Sequence, residues 1–154
     1  MRVTFNEHFR LPVEDVYQYF KTPADWTRLC GLAGEPVDHG DGWYAIGLKG
    51  FPFPLVARNT DHEPERLVRW VFRGFWRGRG EVRFEEVADG VVVSGFEEIA
   101  VRWFFFLSPM AEKAFLERRF RAIWDIGWHR LRKREPRRRG QGQSQPPNLC
   151  SDRS

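Results

Sequence analysis

One stretch near the C-terminal end, residues 108–135, constrains the fold of this chain more than any other. Ser108 can cap a helix with its hydroxyl oxygen, and Pro109 suits the first helical position because an N–H there would have no helical partner. Apolar residues then recur at three- and four-residue spacing, which places them on one side of a helix. These residues are Leu116, Phe120, Ile123, Trp124, Gly127, Trp128 and Leu131. We therefore predict one long C-terminal helix with a largely aromatic face to bury.

A glycine lies in the middle of that apolar face. Gly127 should weaken the helix by ~1 kcal/mol relative to alanine, so its presence indicates close approach to another backbone. Phe115 and Ile126 fall on the opposite side of the helix and mildly favour a second contact surface. A homodimer is left open on this ground.

The rest of the chain must provide the surface that the helix packs against. An alternating strand comes first, and two short amphipathic helices follow it, the second opened by Thr22 and Pro23. From residue 35 onward the apolar period changes to two, with turn signals such as Asp41-Gly42. We predict strands over residues 2–10, 35–39, 43–49, 55–61, 66–74, 77–87 and 91–103.

Consecutive hairpins of this kind predict an antiparallel sheet. A strongly bent sheet that holds the long helix on its concave face would bury both elements. The chain of 154 residues is therefore expected to form one α+β domain over residues 1–135. Residues 136–154 contain almost no apolar side chains, so we expect them to form a flexible basic and polar tail.

The positive charge of the chain is concentrated in one segment. Residues 130–139 carry seven basic residues and Glu135, a net charge of +6 against +4 for the whole chain, so the remainder carries −2. This distribution disfavours a nucleic-acid surface on the fold itself. Contact of Arg130–Arg139 with nucleic acid or an anionic membrane is disfavoured, because such a run is more often solvated, but it is left open.

No apolar run approaches the ~20 residues that span a bilayer, and the first residues lack a signal-peptide core. We expect a cytoplasmic protein. Cys30 and Cys150 lie far apart and have no neighbouring histidines, so the sequence favours neither a disulfide nor a metal site. We expect no metal and no organic cofactor.

Several motifs in order resemble one known family. Three segments are similar to the START/Bet v 1-like superfamily in its SRPBCC branch. They are FRLPVEDVYQYFKTPADW (residues 9–26), DHEPERLVRWVFRG (residues 61–74) and the closing helix from Ser108 to Leu131. That branch comprises polyketide cyclase/dehydrase and lipid-transport proteins. The resemblance covers roughly residues 2–133. It implies a helix-grip fold with a hydrophobic cavity between the sheet and the long helix, but no catalytic motif to carry over.

The inward faces of the strands and of the long helix are candidates for the lining of such a cavity. An aromatic lining would suit a hydrophobic small molecule, whereas rings that fill the space would form a plain core. A one-residue error in strand phase would exchange the two faces of any strand. The candidate ligand-binding residues are Trp43, Phe53, Trp70, Phe72, Phe84, Phe96, Phe120, Trp124 and Trp128.

Four polar residues are weak catalytic candidates: Glu97, Glu98, Arg58 and Arg102. An inward carboxylate would have a raised pKa or an arginine partner, and could act as an acid or base on a bound ketone or enol. The alternative interpretation is a structural ion pair. Three functions therefore stay open: a carrier of a hydrophobic molecule, a cyclase or dehydrase, and an interaction module that acts through the basic tail. A filled interior would favour the last, and an open cavity the first two.

Overall fold

The computed structural model describes residues 1–32, 34–101 and 109–136, with the side chains of 109–112 excepted. The strands are β1 (Arg2–Phe9), β2 (Val37–Asp38), β3 (Tyr44–Ile46), β4 (Leu55–Glu63), β5 (Leu67–Arg73), β6 (Trp76–Val87) and β7 (Gly90–Val101). The helices are α1 (Val13–Tyr17), α2 (Asp25–Cys30) and α3 (Pro109–Arg132). The predicted capping residue Ser108, residues 104–107 and the tail beyond Pro136 lie outside the described residues.

All seven strands form one antiparallel sheet in the order β1-β7-β6-β5-β4-β3-β2. The sheet is open and curved, and α3 lies on its concave face with the two short helices. The predicted α+β helix-grip fold is confirmed. The two edge strands, β1 and β2, are consecutive in sequence and are connected through α1 and α2; β2 is only two residues long.

Local chemistry fixes two of the connections. Asp41 and Gly42 both have positive φ, 51° and 76°, and Trp43 N donates to the carbonyl of Gly40 at 2.9 Å. This is the turn geometry that Asp-Gly sequences favour between antiparallel strands. Before α2, the backbone N–H of Thr22 donates to Asp25 Oδ2 at 2.9 Å, and Asp25 N donates to Thr22 Oγ1 at 3.3 Å. These bonds close the turn before α2, but the helix begins at Asp25 and its N-cap residue is Ala24, which makes no side-chain cap bond, so the predicted cap at Thr22 was wrong.

The apolar face of α3 packs through aromatic rings. The ring of Phe5 on β1 lies 5.0 Å from that of Trp124 and 5.3 Å from that of Trp128, centroid to centroid. Phe20, in the turn after α1, stacks on Trp124 at 6.2 Å. On the opposite side of α3, Ile126 is half-exposed, as its position on the helix predicted. The helix thus joins β1 to the short helices through one continuous aromatic layer.

Gly127 faces α2. A methyl group at this position would lie 3.0 Å from Leu29 Cγ and 3.5 Å from Cys30 Sγ. The nearest atoms are side chains of α2, which packs closely against α3 here. Gly127 lets α3 lie directly against the last turn of α2.

The inner faces of β5 and β6 are buried, in the phase that the alternating pattern predicted. The inward residues are Val68, Trp70 and Phe72 on β5 and Val82 and Phe84 on β6.

Among the helices that the structure describes, none is long and apolar enough to cross a membrane.

Gly80 on β6 accommodates the neighbouring Trp70 ring. A methyl group at Gly80 would lie 2.2 Å from Trp70 Cε2 and Cζ2, and both residues are paired across the β5–β6 ladder. We expect Gly80→Ala to lower the free energy of unfolding by about 1–3 kcal/mol, because the buried indole must move. Urea unfolding measures this. Ser94→Ala on the outer face of β7 is the control and should change it by less than about 0.5 kcal/mol; equal effects would contradict the packing argument.

Candidate functional site

The centre of the sheet carries a carboxylate on its inner face. Glu97 lies on β7 between Val3 of β1 and Gly80 of β6, and it is 3 % exposed. It is the only buried charged residue in the part of the chain that the structure describes. The neighbouring side chains are apolar or aromatic, so the carboxylate faces the underside of α3 rather than water.

Two indole groups meet this carboxylate. Trp124 Nε1 on α3 donates to Glu97 Oε2 at 3.0 Å. Burial raises the pKa of Glu97 to about 7, and the N–H groups of Trp124 and Trp70 partly offset that rise because they favour the ionised form. Trp70 Nε1 is nevertheless buried without a partner of standard hydrogen-bond geometry among the described residues. Glu97 is thus poised to exchange a proton near neutral pH.

The Trp70 indole reaches this position because β6 has no side chain beneath it. Gly80 is paired with both Trp70 and Glu97, and its missing Cβ leaves room for the flat indole to cross the strand. A glycine in the middle of a strand usually weakens the sheet, so its presence here marks the close approach of the ring.

A small cavity adjoins the carboxylate between the sheet, α2 and α3. Its volume is about 20 Å³, roughly the space that one water molecule requires. The described side chains therefore fill most of the space between sheet and helix. The lining residues are Trp26, Cys30, Leu32, Leu48, Leu55, Glu97, Phe120, Ile123 and Trp124.

Two residues of α2 bring further polar groups to this cavity. Trp26 Nε1 is buried and has no hydrogen-bond partner among the residues described. Burial raises the pKa of the Cys30 thiol to about 12; the nearby Glu97 adds to this rise and Arg130 opposes it. The thiol is therefore neutral at physiological pH. One ionisable carboxyl, one thiol and one unpaired indole N–H thus line a space that is otherwise apolar.

Six of the nine predicted lining residues do lie on the inner side, all buried: Trp70, Phe72, Phe84, Phe120, Trp124 and Trp128. Of these, Phe120 and Trp124 line the cavity itself, whereas the other four pack around it as core. Trp26 and Cys30, on the buried side of α2, were not among the predicted lining residues. Their position under α3 depends on tertiary packing.

The other three predicted lining residues are not on the inner face. Phe96 lies on the outer face of β7 under the guanidinium of Arg2, 4.5 Å from the ring centre. Trp43 lies under Arg73 and Arg58, at 4.0 and 4.8 Å. The inward placement of these two rings was wrong because arginines on the outer face cover them, which stabilises exposed aromatics through cation–π contact.

Phe53 was also misplaced. It lies between Pro52 and Pro54 in the connection before β4, is 47 % exposed, and stacks on Phe75 at 4.3 Å. Prolines interrupt strand pairing, so the alternation that would have turned Phe53 inward does not extend to this segment.

Two of the four polar candidates also lie on the outer face of the sheet, opposite to Glu97. Glu98 points outward, where it pairs with Arg2 and Arg79, both at 3.0 Å. Arg58 points outward over Trp43. Neither can reach the cavity next to Glu97, because neighbouring strand residues project to opposite faces. Arg102 lies outside the described residues.

Fold and site together define a helix-grip protein with a buried acidic group under its long helix. Solved structures share this architecture at low sequence identity. The Zhui aromatase/cyclase from Streptomyces sp. R1128 superposes with a TM-score of 0.64 at 13 % identity, covering 87 % of this chain and 94 % of that one. The Aha1 dimer from Colwellia psychrerythraea has a TM-score of 0.60 at 14 % identity, with 91 % and 99 % covered.

A conserved protein from Geobacillus kaustophilus has a TM-score of 0.67 at 10 % identity, with 88 % and 98 % covered. A search of curated proteins found no match. The family model described as polyketide cyclase / dehydrase and lipid transport matches residues 1–134. The chain belongs to this family, as the sequence resemblance indicated.

The raised pKa of Glu97 should make stability depend on pH. The carboxyl binds its proton more tightly in the folded chain, with a pKa of about 7 against 4.5 for a free side chain, so the free energy of unfolding should fall as pH rises through this range. The full change corresponds to roughly 3 kcal/mol. Glu97→Gln should abolish this dependence, which urea unfolding between pH 4.5 and 8 measures.

Glu98→Gln is the matched control. Hydrogen bonding to Arg79 lowers the pKa of Glu98, so its contribution has the opposite sign and is lost as pH falls below the ordinary carboxylate range. A wild-type profile that stays flat above pH 4.5 would show that Glu97 is not shifted.

Proposed function

We propose that this protein binds a hydrophobic small molecule that carries a neutral hydrogen-bonding group, with that group placed at Glu97 beneath α3. The observation that carries the proposal is the buried carboxyl of Glu97 at the wall of the cavity. The family, whose description includes lipid transport and polyketide chemistry, is consistent with a ligand of this kind.

The energetic cost of the site supports a functional role. A buried, unpaired polar group costs about 1–3 kcal/mol, and a buried carboxylate costs more. Two buried indole N–H groups lie beside the Glu97 carboxyl: that of Trp26 has no hydrogen-bond partner in the described part of the chain, and that of Trp70 faces Glu97 without standard hydrogen-bond geometry. An aliphatic residue at position 97 would fill the same space without this cost. Costs of this size are typical of sites retained for binding or catalysis.

The charge of the cavity selects the ligand class. Its one ionisable carboxyl has no basic side chain beside it in the lining, so a fatty acid or another carboxylate would bring a second negative charge into the same apolar space. A hydroxyl or enol group can instead donate to the ionised Glu97, and its oxygen can accept from an indole N–H. Phenols, alcohols and enolised ketones with an apolar body fit these requirements.

The nearly filled interior by itself favours the interaction module among the three functions considered, and the buried Glu97 carboxyl is the observation that supports ligand binding against it. The cavity must enlarge to admit such a molecule, because its present volume of about 20 Å³ holds no more than a water. Leu32 and Ile123 are only partly buried and form its outer rim. Rotamer changes at these two residues would extend the space toward the surface without moving the sheet. Side-chain rearrangements of this kind are common when ligands bind.

1-Naphthol tests this proposal, with naphthalene and 1-naphthoate as ligand controls. Calorimetric titration should show binding in the order naphthol, then naphthalene, with no binding of naphthoate. Ile123→Phe fills the rim and should weaken naphthol binding roughly tenfold, about 1.4 kcal/mol. Ile126→Phe adds the same ring to the half-exposed back of α3 and should have no effect.

Equal effects of the two phenylalanine variants, or binding of naphthoate as tight as that of naphthol, would contradict the proposal. Native mass spectrometry of the freshly purified protein complements this test. An apolar hydroxylated compound retained by the wild type and lost from Ile123→Phe would identify the natural ligand class.

The pKa of Glu97, about 7, favours a second function, acid–base catalysis on the bound molecule. A carboxylate at this pKa can remove a proton next to a ketone carbonyl, and the electron pair then moves onto the oxygen to give an enolate; the protonated Glu97 can return a proton or deuteron to the carbon. Cyclase and dehydrase reactions use such steps. The protein should then accelerate deuterium exchange at the carbon between ring and carbonyl of 2-tetralone, followed by NMR, and Glu97→Gln should remove the acceleration. Unaltered exchange in wild type would leave binding as the only role.

A further inference from the structure

A second concave site lies beside α2, where the end of α3 meets the turn after α1 and the end of α2. This groove has a volume of about 360 Å³. Four of its seven lining residues are basic and none is acidic. The lining residues are Tyr19, Arg28, Leu29, Arg130, Leu131, Lys133 and Arg134.

Arg130 is held in place as the inner wall of this basic groove. Its Nη1 donates to the carbonyls of Arg28 and Leu29, at 2.9 and 3.3 Å, at the end of α2. Gly31 follows in the left-handed conformation, φ 61°, and a methyl group there would lie 2.4 Å from Arg130 Nη2. The guanidinium therefore lies flat against the backbone of Gly31, and any larger residue would displace it.

The charged residues that follow Arg130 face two different sides of the molecule. Arg132 pairs with Glu7 and donates to the carbonyl of His8 at 3.3 Å, and Glu135 accepts from the backbone N–H of Arg10 at 3.0 Å. These contacts tie the end of α3 to β1. Lys133 and Arg134 are left on the opposite side, where they face the groove.

Arg134 and Arg28 complete the rim. The guanidinium of Arg134 lies 5.2 Å from the ring centre of Tyr19, and Arg28 pairs with Asp25, which does not line the groove. Lys133 is exposed and makes no ion pair within the described part of the chain. These three cationic groups surround a recess that is also lined by Leu29, Leu131 and the Tyr19 ring.

We propose that this groove binds a phosphate group. Guanidinium groups bind phosphate oxygens through paired N–H donors, and a lysine adds a point charge. The concave shape lets several cations reach one anion, whereas an extended basic segment would meet it one charge at a time. The floor would accommodate the apolar part of the molecule that bears the phosphate.

The groove favours an isolated phosphate group over a nucleic-acid strand. Base stacking needs an open aromatic face, but Tyr19 is 7 % exposed and its ring is already covered by Arg134. The proposal is independent of the Glu97 cavity, because the two sites share only the wall formed by Leu29 and Cys30 of α2.

Calorimetric titration with inorganic phosphate at low ionic strength tests the proposal on the full-length chain. Lys133→Ala/Arg134→Ala should weaken phosphate binding roughly tenfold or more, because it removes two of the four charges. Lys113→Ala/Arg118→Ala removes the same charge from an exposed part of the same helix and should change affinity by less than about twofold. Lys133→Ala alone keeps the Arg134–Tyr19 contact and should give an intermediate loss.

A second measurement, compared with the calorimetry, identifies the source of the phosphate. Vesicles of phosphatidic acid in phosphatidylcholine, followed by co-sedimentation, report a lipid headgroup, whereas calorimetry reports the free anion. Binding of phosphate or of the vesicles that the Lys133→Ala/Arg134→Ala variant weakens supports the proposal. Arg137→Ala/Arg138→Ala/Arg139→Ala instead removes three charges that follow Lys133 and Arg134 in the sequence. If this variant abolishes binding while the groove variant retains it, or if only an RNA oligonucleotide binds, or if neither probe binds, the proposal is overturned.

Discussion

The hydrogen bond from Trp124 to Glu97 joins the middle of the long helix to the middle of the sheet. Among the described residues it is the one buried polar bond between this helix and the sheet, in an interface otherwise made of aromatic and aliphatic side chains. In such surroundings an unpaired carboxylate would cost several kcal/mol, so the bond fixes the rotation of α3 about its own axis more strongly than apolar packing does. Rings are tolerant of small rotations; a directed N–H donor is not.

That single link also explains why the interior is so full. The indole of Trp124 must approach the sheet closely to reach Glu97, and Phe5, Phe20 and Trp128 pack around it at ring distances of 5.0 to 6.2 Å. Trp70 needs a glycine beneath it to share the same space. The chain has thus placed its ionisable group inside a nearly closed core. A ligand that competes for the Glu97 carboxyl would also loosen the contact between helix and sheet.

Much of this fold follows from local rules that act within a few residues. The period of the apolar residues identified the strands and the buried side of α3, and turn chemistry identified the turn at Asp41-Gly42. The inward position of Trp70, Phe72 and Phe84 followed from alternation alone. Each of these features depends on neighbours in sequence, which is why a single sequence was enough to predict them.

The errors arose where residues far apart in sequence decide the outcome. Phe96 and Trp43 were expected inside because they are aromatic, yet arginines from neighbouring strands cover them on the outer face. Which of Glu97 and Glu98 points inward depends on a strand phase that pairing with β1 and β6 settles. The contribution of α2 to the cavity could not be predicted, because it requires knowing that Gly127 lets this helix reach the underside of α3.

The Cys30 thiol has a consequence of a different kind. With a pKa near 12 and no exposure to solvent, it is almost never the thiolate that reacts with alkylating reagents or peroxide. Any event that parts α2 from α3 and lets water reach the sulfur would reverse both conditions at once. The rate at which an alkylating reagent labels Cys30 therefore reports how often the contact between α2 and α3 opens.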